Sequence, residues 1–431
     1  MTSRPAHTRD DEVFAVEART LANGLCIVHV PMPTMPSVAV NVFVGAGSRH
    51  ERTGQEGAAH LVEHMLFKGT YRRPSASQLS QTLDAVGGVL NAATDKDLTT
   101  YWAKVAKEHL SLAIDCLSDM LLCSRVTTSD VTKEKGVVIE ELRMLADDPQ
   151  DRVHVLAEEV LWPDQPVGRE IAGTPDTVAR LSRADVRGFM REHYGPNNAV
   201  VGVAGGVGLE DVTDLLARHF DGWEPVTPEV PTPARVIPDG ARHFVECKRA
   251  EQVQVCVVFQ GVARRHPDRP ALDVLATLLG GGTSSRLFRM LRDELGLAYD
   301  VHAYTTYLSD TGSFVIYVGV EEGKVIRALS AITNEINRLS RRRVPEAELD
   351  RTKRFMRGRL WLALEEPQAV ASWFGAQQIV QDEMLSPEQV VDETSAVSTD
   401  DLRRLTRTIL APDVARLAVV GPIDPVDLPW P

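Results

Sequence analysis

The second half of this sequence runs through the same order of elements as the first at an almost constant offset, and few architectures accept such a chain. Ser398-Thr-Asp-Asp-Leu402 follows Ser182-Arg-Ala-Asp-Val186 by 216 residues, and the apolar run Ala415-Arg-Leu-Ala-Val-Val-Gly421 ends at that same offset from Gly205. In the first half, strand-like runs cover Leu25–Val30 and Val38–Val44 on either side of Pro31-Met-Pro33. A helix with Ser75 as its cap follows over 76–86 and is stopped by Gly87-Gly88. Two more strand candidates, Val89–Thr94 and Leu98–Val105, precede an amphipathic helix over His109–Cys123. The second half offers a strand over Val253–Phe259, a helix near 269–279, a strand over Gly312–Val320 and helices over Lys324–Leu339 and from Glu346 onward. The stretch from Gly222 is rich in proline and falls near the midpoint of the chain. The expected organisation is an N-terminal domain over 1–222, a linker over 223–240 and a degenerate repeat of the first domain over 241–431.

Within the first repeat, His60-Leu-Val-Glu-His64 lies in a proline-free stretch whose other residues, Ala58, Ala59, Leu61, Val62, Met65 and Leu66, are apolar. On a helix, His60 and His64 leave the same face one turn apart, a spacing that offers two nitrogen ligands to a tetrahedral Zn2+. Glu63 lies beside His64, placed to take a proton from water at the metal. The order H-x-x-E-H is the inverzincin form of the zinc-peptidase helix. Two ligands are too few, and a third comes from the segment Thr128–Asp147. Ser129 is its expected cap, and Val131, Val137, Val138, Leu142 and Leu145 space like a buried side. Glu134 and Glu141 fall seven residues apart, about 700° of helical turn, so they share a face; Glu140 points about 100° away from Glu141. Such a helix supplies one carboxylate ligand and a second carboxylate nearby, and helical geometry by itself does not exclude Glu140. At an offset of about 218 the histidine motif maps onto Leu278-Leu-Gly-Gly-Gly282, and Glu134 and Glu141 map onto Thr352 and Arg359. The second copy keeps the scaffold without the ligands.

Composition narrows the partners. The net charge of −13 argues against nucleic acid or an anionic membrane, and no apolar run reaches membrane-spanning length. The polar N-terminus lacks the apolar core of a signal peptide, which points to the cytoplasm. Five cysteines (Cys26, Cys116, Cys123, Cys247 and Cys256), none in C-x-x-C spacing and most in apolar runs, read as buried thiols of a reducing compartment.

Five stretches together resemble the pitrilysin family of zinc peptidases, which includes insulin-degrading enzyme and the mitochondrial processing peptidase. They are Gly57-Ala-Ala-His-Leu-Val-Glu-His-Met-Leu-Phe-Lys-Gly-Thr70, Gly87-Gly-Val-Leu-Asn-Ala-Ala-Thr94, Glu134-Lys-Gly-Val-Val-Ile-Glu-Glu141, Gly280-Gly-Gly-Thr-Ser-Ser-Arg-Leu-Phe288 and Leu291-Arg-Asp-Glu-Leu-Gly-Leu-Ala-Tyr299. The resemblance spans nearly the whole chain. It implies an α+β fold of two homologous α/β-sandwich domains, each a mixed, largely antiparallel sheet with helices on one face, forming half of a clam-like chamber. It implies one Zn2+ per chain, bound by His60, His64 and Glu141, with Glu63 as general base and Glu134 as a supporting carboxylate. Asn91 and Ala92 would lie on a strand that pairs with the substrate backbone. Arg292 and Tyr299 would bind substrate carbonyls; without the resemblance they read as an exposed helix arginine and a half-buried strand tyrosine. Phe67, Lys68 and Arg286 match the family's stretches and are assigned to packing or structure.

The function expected from this reading is a zinc metalloendopeptidase acting on short or unfolded peptides. Relatives of this length work as pairs of chains. This chain carries both the zinc motif and the Arg/Tyr pair, which favours a homodimer over a heterodimer with a related chain. The alternatives are a catalytically silent peptide-binding or assembly subunit of a two-chain processing protease, and a metal-independent scaffold.

Overall fold

The computed structural model describes residues 13–237, 243–380 and 384–424; the polar N-terminal residues and the end of the expected linker at 238–240 lie outside them. Two mixed sheets carry the fold. The first has six strands in the order β1-β2-β6-β3-β5-β4, where β1 is Glu17–Thr20, β2 Cys26–Pro31, β3 Ser37–Val44, β4 Val89–Thr94, β5 Thr99–Ala106 and β6 Ala199–Gly205. The second has five strands in the order β7-β11-β8-β10-β9, where β7 is His243–Cys247, β8 Val253–Gln260, β9 Ala298–Tyr307, β10 Gly312–Val320 and β11 Arg416–Gly421. The two orders match strand for strand once β1 is set aside. In each, one pair is parallel (β2 with β6, β7 with β11) and the others are antiparallel. The repetition visible in the sequence is therefore a repetition of topology.

The helices follow the sequence signals closely. Ser75 caps the helix Ala76–Asp84 by accepting from the Gln78 amide, and Ser182 and Ser398 cap their helices through matching boxes with Asp185 and Asp401. One cap differs from expectation. The helix Thr128–Asp147 begins a residue before Ser129, and the Thr127 hydroxyl accepts from the Asp130 amide at 3.2 Å. Val137 also differs: it is exposed, because it lies one turn before Glu141 on the open side of that helix.

Strands β3, β6, β8, β10 and β11 are buried almost end to end, so both faces of each sheet need cover. In the first sheet Val38, Val40, Val42 and Val44 of β3 enter the core beneath the main helical layer. The alternate residues face the helix Pro367–Val380. There the Ser372 hydroxyl donates to the Asn41 side-chain oxygen at 2.8 Å, and a Cβ on Gly375 would sit 2.4 Å from the Phe43 ring. In the second sheet Val253, Val255, Val257 and Phe259 of β8 join the helical core, whereas Cys256 and Val258 pack with Val153, Leu156, Ala157 and Val160 of the helix Pro149–Leu161.

Each covering helix comes from the opposite half of the sequence. One compact unit holds the chain up to Leu142, Glu170–Thr232 and Trp361–Glu388; the other holds Arg143–Arg169, Pro233–Leu360 and the chain from Gln389. The compact units part at Thr232–Pro233, inside the expected linker at 223–240, and again after Leu142, Arg169, Leu360 and Glu388, because the halves exchange the segments that cover their sheets.

The thiols are less uniformly buried than their apolar neighbours suggest. Cys116 and Cys256 are buried, Cys26 and Cys123 are half-buried, and Cys247 is exposed at the end of edge strand β7. Burial pushes the Cys116 thiol up to about 11, which makes it unreactive at neutral pH. Among the described residues, no helix is long and apolar enough to cross a membrane.

Candidate metal centre

The histidine motif lies on the helix Ala58–Leu66, with Ala58, Ala59, Leu61, Val62, Met65 and Leu66 all buried beneath it. Gly57 begins the helix at φ 92°, and a Cβ there would lie 2.4 Å from the Ala172 carbonyl, so only glycine fits. The buried Glu51 carboxylate accepts from the amides of Gly57 at 3.0 Å and Ala59 at 2.8 Å. A negative group on otherwise orphaned amides at the positive end of the helix dipole fixes this turn, and with it the direction of His60.

The long helix Thr128–Asp147 buries Val131, Glu134, Val138 and Leu142. A carboxylate within an apolar stripe needs partners, and Glu134 has two. Its Oε2 lies 3.2 Å from His64 Nδ1, and its Oε1 pairs with Lys68 Nζ at 2.8 Å. A carboxylate at Nδ1 orients the imidazole and leaves Nε2 free to bind a metal. That nitrogen lies 3.4 Å from Glu141 Oε2, and the His60 and His64 rings meet edge to face with centroids 4.6 Å apart. One donor atom each from His60, His64 and Glu141 falls within 4.8 Å of the others.

These residues fit zinc. A tetrahedral ion with ligands at about 2.0–2.1 Å holds neighbouring donors about 3.4 Å apart, and two imidazoles with one carboxylate leave a fourth position open. His60 Nδ1 is buried without a hydrogen-bond partner among the described residues. Burial, helped by the neighbouring His64, pushes His60 down to about 4, so both of its ring nitrogens are not protonated together at neutral pH. Glu140, which helical geometry left open, is exposed and is not part of the cluster.

Glu63 stands next to this cluster on the metal helix. Burial raises its carboxyl above the usual carboxylate range, against the lowering effects of a Thr94 hydrogen bond and of His64. The Thr94 hydroxyl donates to Glu63 Oε2 at 2.5 Å. Thr94 closes β4, the edge strand of the first sheet, where Asn91 is opposite Trp102 and Ala92 opposite Tyr101. Asn91 is exposed, and its side-chain oxygen accepts from the Ala92 amide at 2.8 Å. That amide is thus directed away from β5 and toward the free edge.

Arg292 and Tyr299 belong to the second unit. Arg292 lies in a π-helical turn over Phe288–Glu294, with its guanidinium 4.5 Å from the centre of the Tyr299 ring and 4.9 Å from that of Phe288. It also donates to the Tyr299 carbonyl at 3.1 Å. Tyr299, which reads as half-buried from sequence, is 72% exposed at the start of edge strand β9. Arg286 pairs with Glu335 and Glu348, both at 2.7 Å, a structural bridge as expected. Lys68, by contrast, does more than pack, because it holds the carboxylate behind His64. Sequence reasoning also missed Glu51 and Thr94.

Comparison with known proteins places this geometry in a family. Residues 27–175 match the profile of insulinase, peptidase family M16, and residues 180–356 match that of the peptidase M16 inactive domain. An uncharacterized zinc protease of Streptomyces coelicolor is 35% identical over 419 residues, 95% of this chain and 90% of its own length. The chain belongs to peptidase family M16, the pitrilysin family. Another relative in the family is the uncharacterized zinc protease YmxG of Bacillus subtilis, 33% identical over 94% of this chain and 98% of its own length. Among solved structures, the crystal structure of a protease from Helicobacter pylori superposes with a TM-score of 0.87 at 25% identity, covering 94% of this chain and 99% of the other. The two-domain fold of the family is the one described above.

Proposed function

We propose that this protein is a zinc-dependent endopeptidase that hydrolyses peptide bonds in short or unfolded peptides. One observation carries the reading: the donors of His60, His64 and Glu141 converge while Glu63 is held beside them by Thr94. Bound there, zinc would lower the pKa of a water to about 7 and polarise the scissile carbonyl. Glu63 accepts the proton of the attacking water and returns it to the amine nitrogen as the peptide C–N bond breaks. Its raised carboxyl brings the base closer to working pH, which favours both transfers. Thr94 fixes the carboxylate in one orientation, and Glu134 fixes His64 in one tautomer.

The free edge of β4 suits an extended substrate, which would displace the Asn91 side chain from the Ala92 amide and add a strand. Main-chain pairing of this kind tolerates many sequences. The stacked Arg292 and exposed Tyr299 offer a guanidinium and a hydroxyl to substrate carbonyls. One chain carries the whole set, which supports action as a homodimer.

The test is hydrolysis of an internally quenched, unstructured peptide by the purified protein and by Glu63→Gln, with zinc measured in both. Cleavage lost in the variant, with about one zinc retained per chain in each sample, is the expected result. Zinc bound by both without any cleavage would replace this reading with the silent-subunit one. Absence of zinc would end it.

A further inference from the structure

The second unit contains a groove of about 790 Å³ lined by six arginines, Arg286, Arg289, Arg338, Arg342, Arg343 and Arg351, with three glutamates and the apolar Met290, Pro345 and Ala347. In a chain whose net charge is −13, such a concentration of guanidinium groups is a departure. The glutamates are taken up by two of these arginines. Glu335 and Glu348 both clasp Arg286 at 2.7 Å, and Glu294 lies 3.8 Å from Arg289. Arg343 reaches Asp400 at 2.6 Å. Arg342 and Arg351 are exposed and have no ion-pair partner among the described residues, and Arg338 only approaches the already paired Glu335 at 3.5 Å. The groove therefore presents guanidiniums to solvent above a neutralised floor.

A smaller cleft of about 30 Å³ shares Glu348 and Arg351 with this groove. Leu278, Gly281, Gly282 and Thr352 line it, the counterparts at an offset of 218 of His60, Glu63, His64 and Glu134. The repeat has kept a recess at the positions that carry the cluster in the first unit, and none of those four counterparts is a histidine or a carboxylate. Ser285, 6% exposed, also lines the recess, and its hydroxyl has no hydrogen-bond partner among the described residues. A buried hydroxyl left unpaired is unfavourable unless something brings it an acceptor.

We propose that this groove is an exosite for acidic segments of peptides, with Arg342 and Arg351 pairing to their carboxylates and Ser285 donating to a third acceptor in the recess. The alternation of cations with methionine, proline and alanine favours a peptide over a bare polyphosphate, because it matches carboxylates spaced by apolar residues. Planar guanidinium forks take carboxylates in bidentate fashion. The volume lies within the usual range for ligand sites. This inference rests on the peptidase reading and gives it a substrate class, peptides carrying glutamate or aspartate away from the scissile bond.

The test measures binding without turnover. Full-length Glu63→Gln protein is titrated into a fluorescein-labelled peptide alternating glutamate with alanine, and into its lysine-for-glutamate analogue, and anisotropy is read at low and high salt. The acidic peptide should bind, the basic one should not, and added salt should weaken the complex. Combining Arg342→Ala with Arg351→Ala should weaken it about tenfold or more, with the thermal midpoint as the check on folding. Equal binding of the two peptides, or unchanged affinity in the double variant, would overturn the proposal. So would binding of inorganic tripolyphosphate by a protein that ignores the acidic peptide. Cleavage of a neutral peptide by the wild-type chain is scored separately, so loss of the exosite leaves the peptidase reading standing, and the reverse also holds.

Discussion

Replacing Glu134 by glutamine tests whether the carboxylate behind His64 supports a ligand or is one. The amide keeps the shape and still has an oxygen facing His64 Nδ1 at about the observed 3.2 Å, but it removes the charge. Hydrogen bonds to charged groups contribute about 1.5–3 kcal/mol against about 0.5–1.5 for neutral ones, so the change should remove about 1–1.5 kcal/mol from the His64 contact. That is about a tenfold loss in zinc affinity, at the lower end of the 10- to 100-fold typical of groups that orient a metal ligand. The same substitution leaves Lys68 without its anion. Because that side chain is 30% exposed, water compensates much of the loss, and the metal-free protein should lose only about 1–2 kcal/mol. Competition against a fluorescent chelator gives the first quantity and urea unfolding of the stripped protein gives the second. An unchanged zinc affinity would show that Glu134 is a bystander. Complete loss of zinc, far beyond a hundredfold, would show that it is itself a ligand and that the assignment of Glu141 is wrong.

Two further perturbations probe neighbouring contacts. Thr94→Val removes a hydrogen bond that lowers the Glu63 carboxyl, so the acid limb of kcat/KM against pH should move upward by about one pH unit; a lower plateau with an unmoved limb would refute the role given to Thr94. His50 is pushed down to about 4 by burial and by His193, so the unfolded chain binds its proton first as pH falls below 6.5. The stability of the metal-free protein should therefore decline between pH 6.5 and 4, by about 2–3 kcal/mol from this residue, and His50→Gln should flatten that slope in urea titrations.

The chemistry was easier to read from sequence than the packing around it. His60 and His64 are one helical turn apart, and Glu134 and Glu141 two turns apart, so each pair could be placed on a face from spacing alone. Bringing the two helices together needed tertiary structure, and so did choosing Glu141 over Glu140, which the family resemblance had done. Thr94 lies 31 residues from Glu63 and Glu51 caps the helix from a preceding turn, contacts for which no periodicity exists. Lys68 stands next to the motif, but its partner is 66 residues away on another helix. The strands were legible as apolar runs, and the unbroken run Val253–Phe259 carried a further signal: a strand apolar on both sides has to be covered on both sides. Which helix supplies that cover was not legible, because it comes from the other half of the chain.

That exchange has a consequence for the order in which the protein is made. The strands of the first sheet have left the ribosome by Gly205, yet Ser372, which bonds Asn41 across 331 residues, belongs to a helix ending at Val380. During the synthesis of nearly half the chain, the back of the zinc-motif unit is therefore an uncovered apolar surface with nothing of its own to close it. A chain stopped after Thr232 should bind a hydrophobic dye and aggregate, and a separately supplied second half should suppress both. Such a chain cannot mature one unit at a time: the half that carries His60, His64 and Glu141 reaches its final form only when most of the other half has been translated.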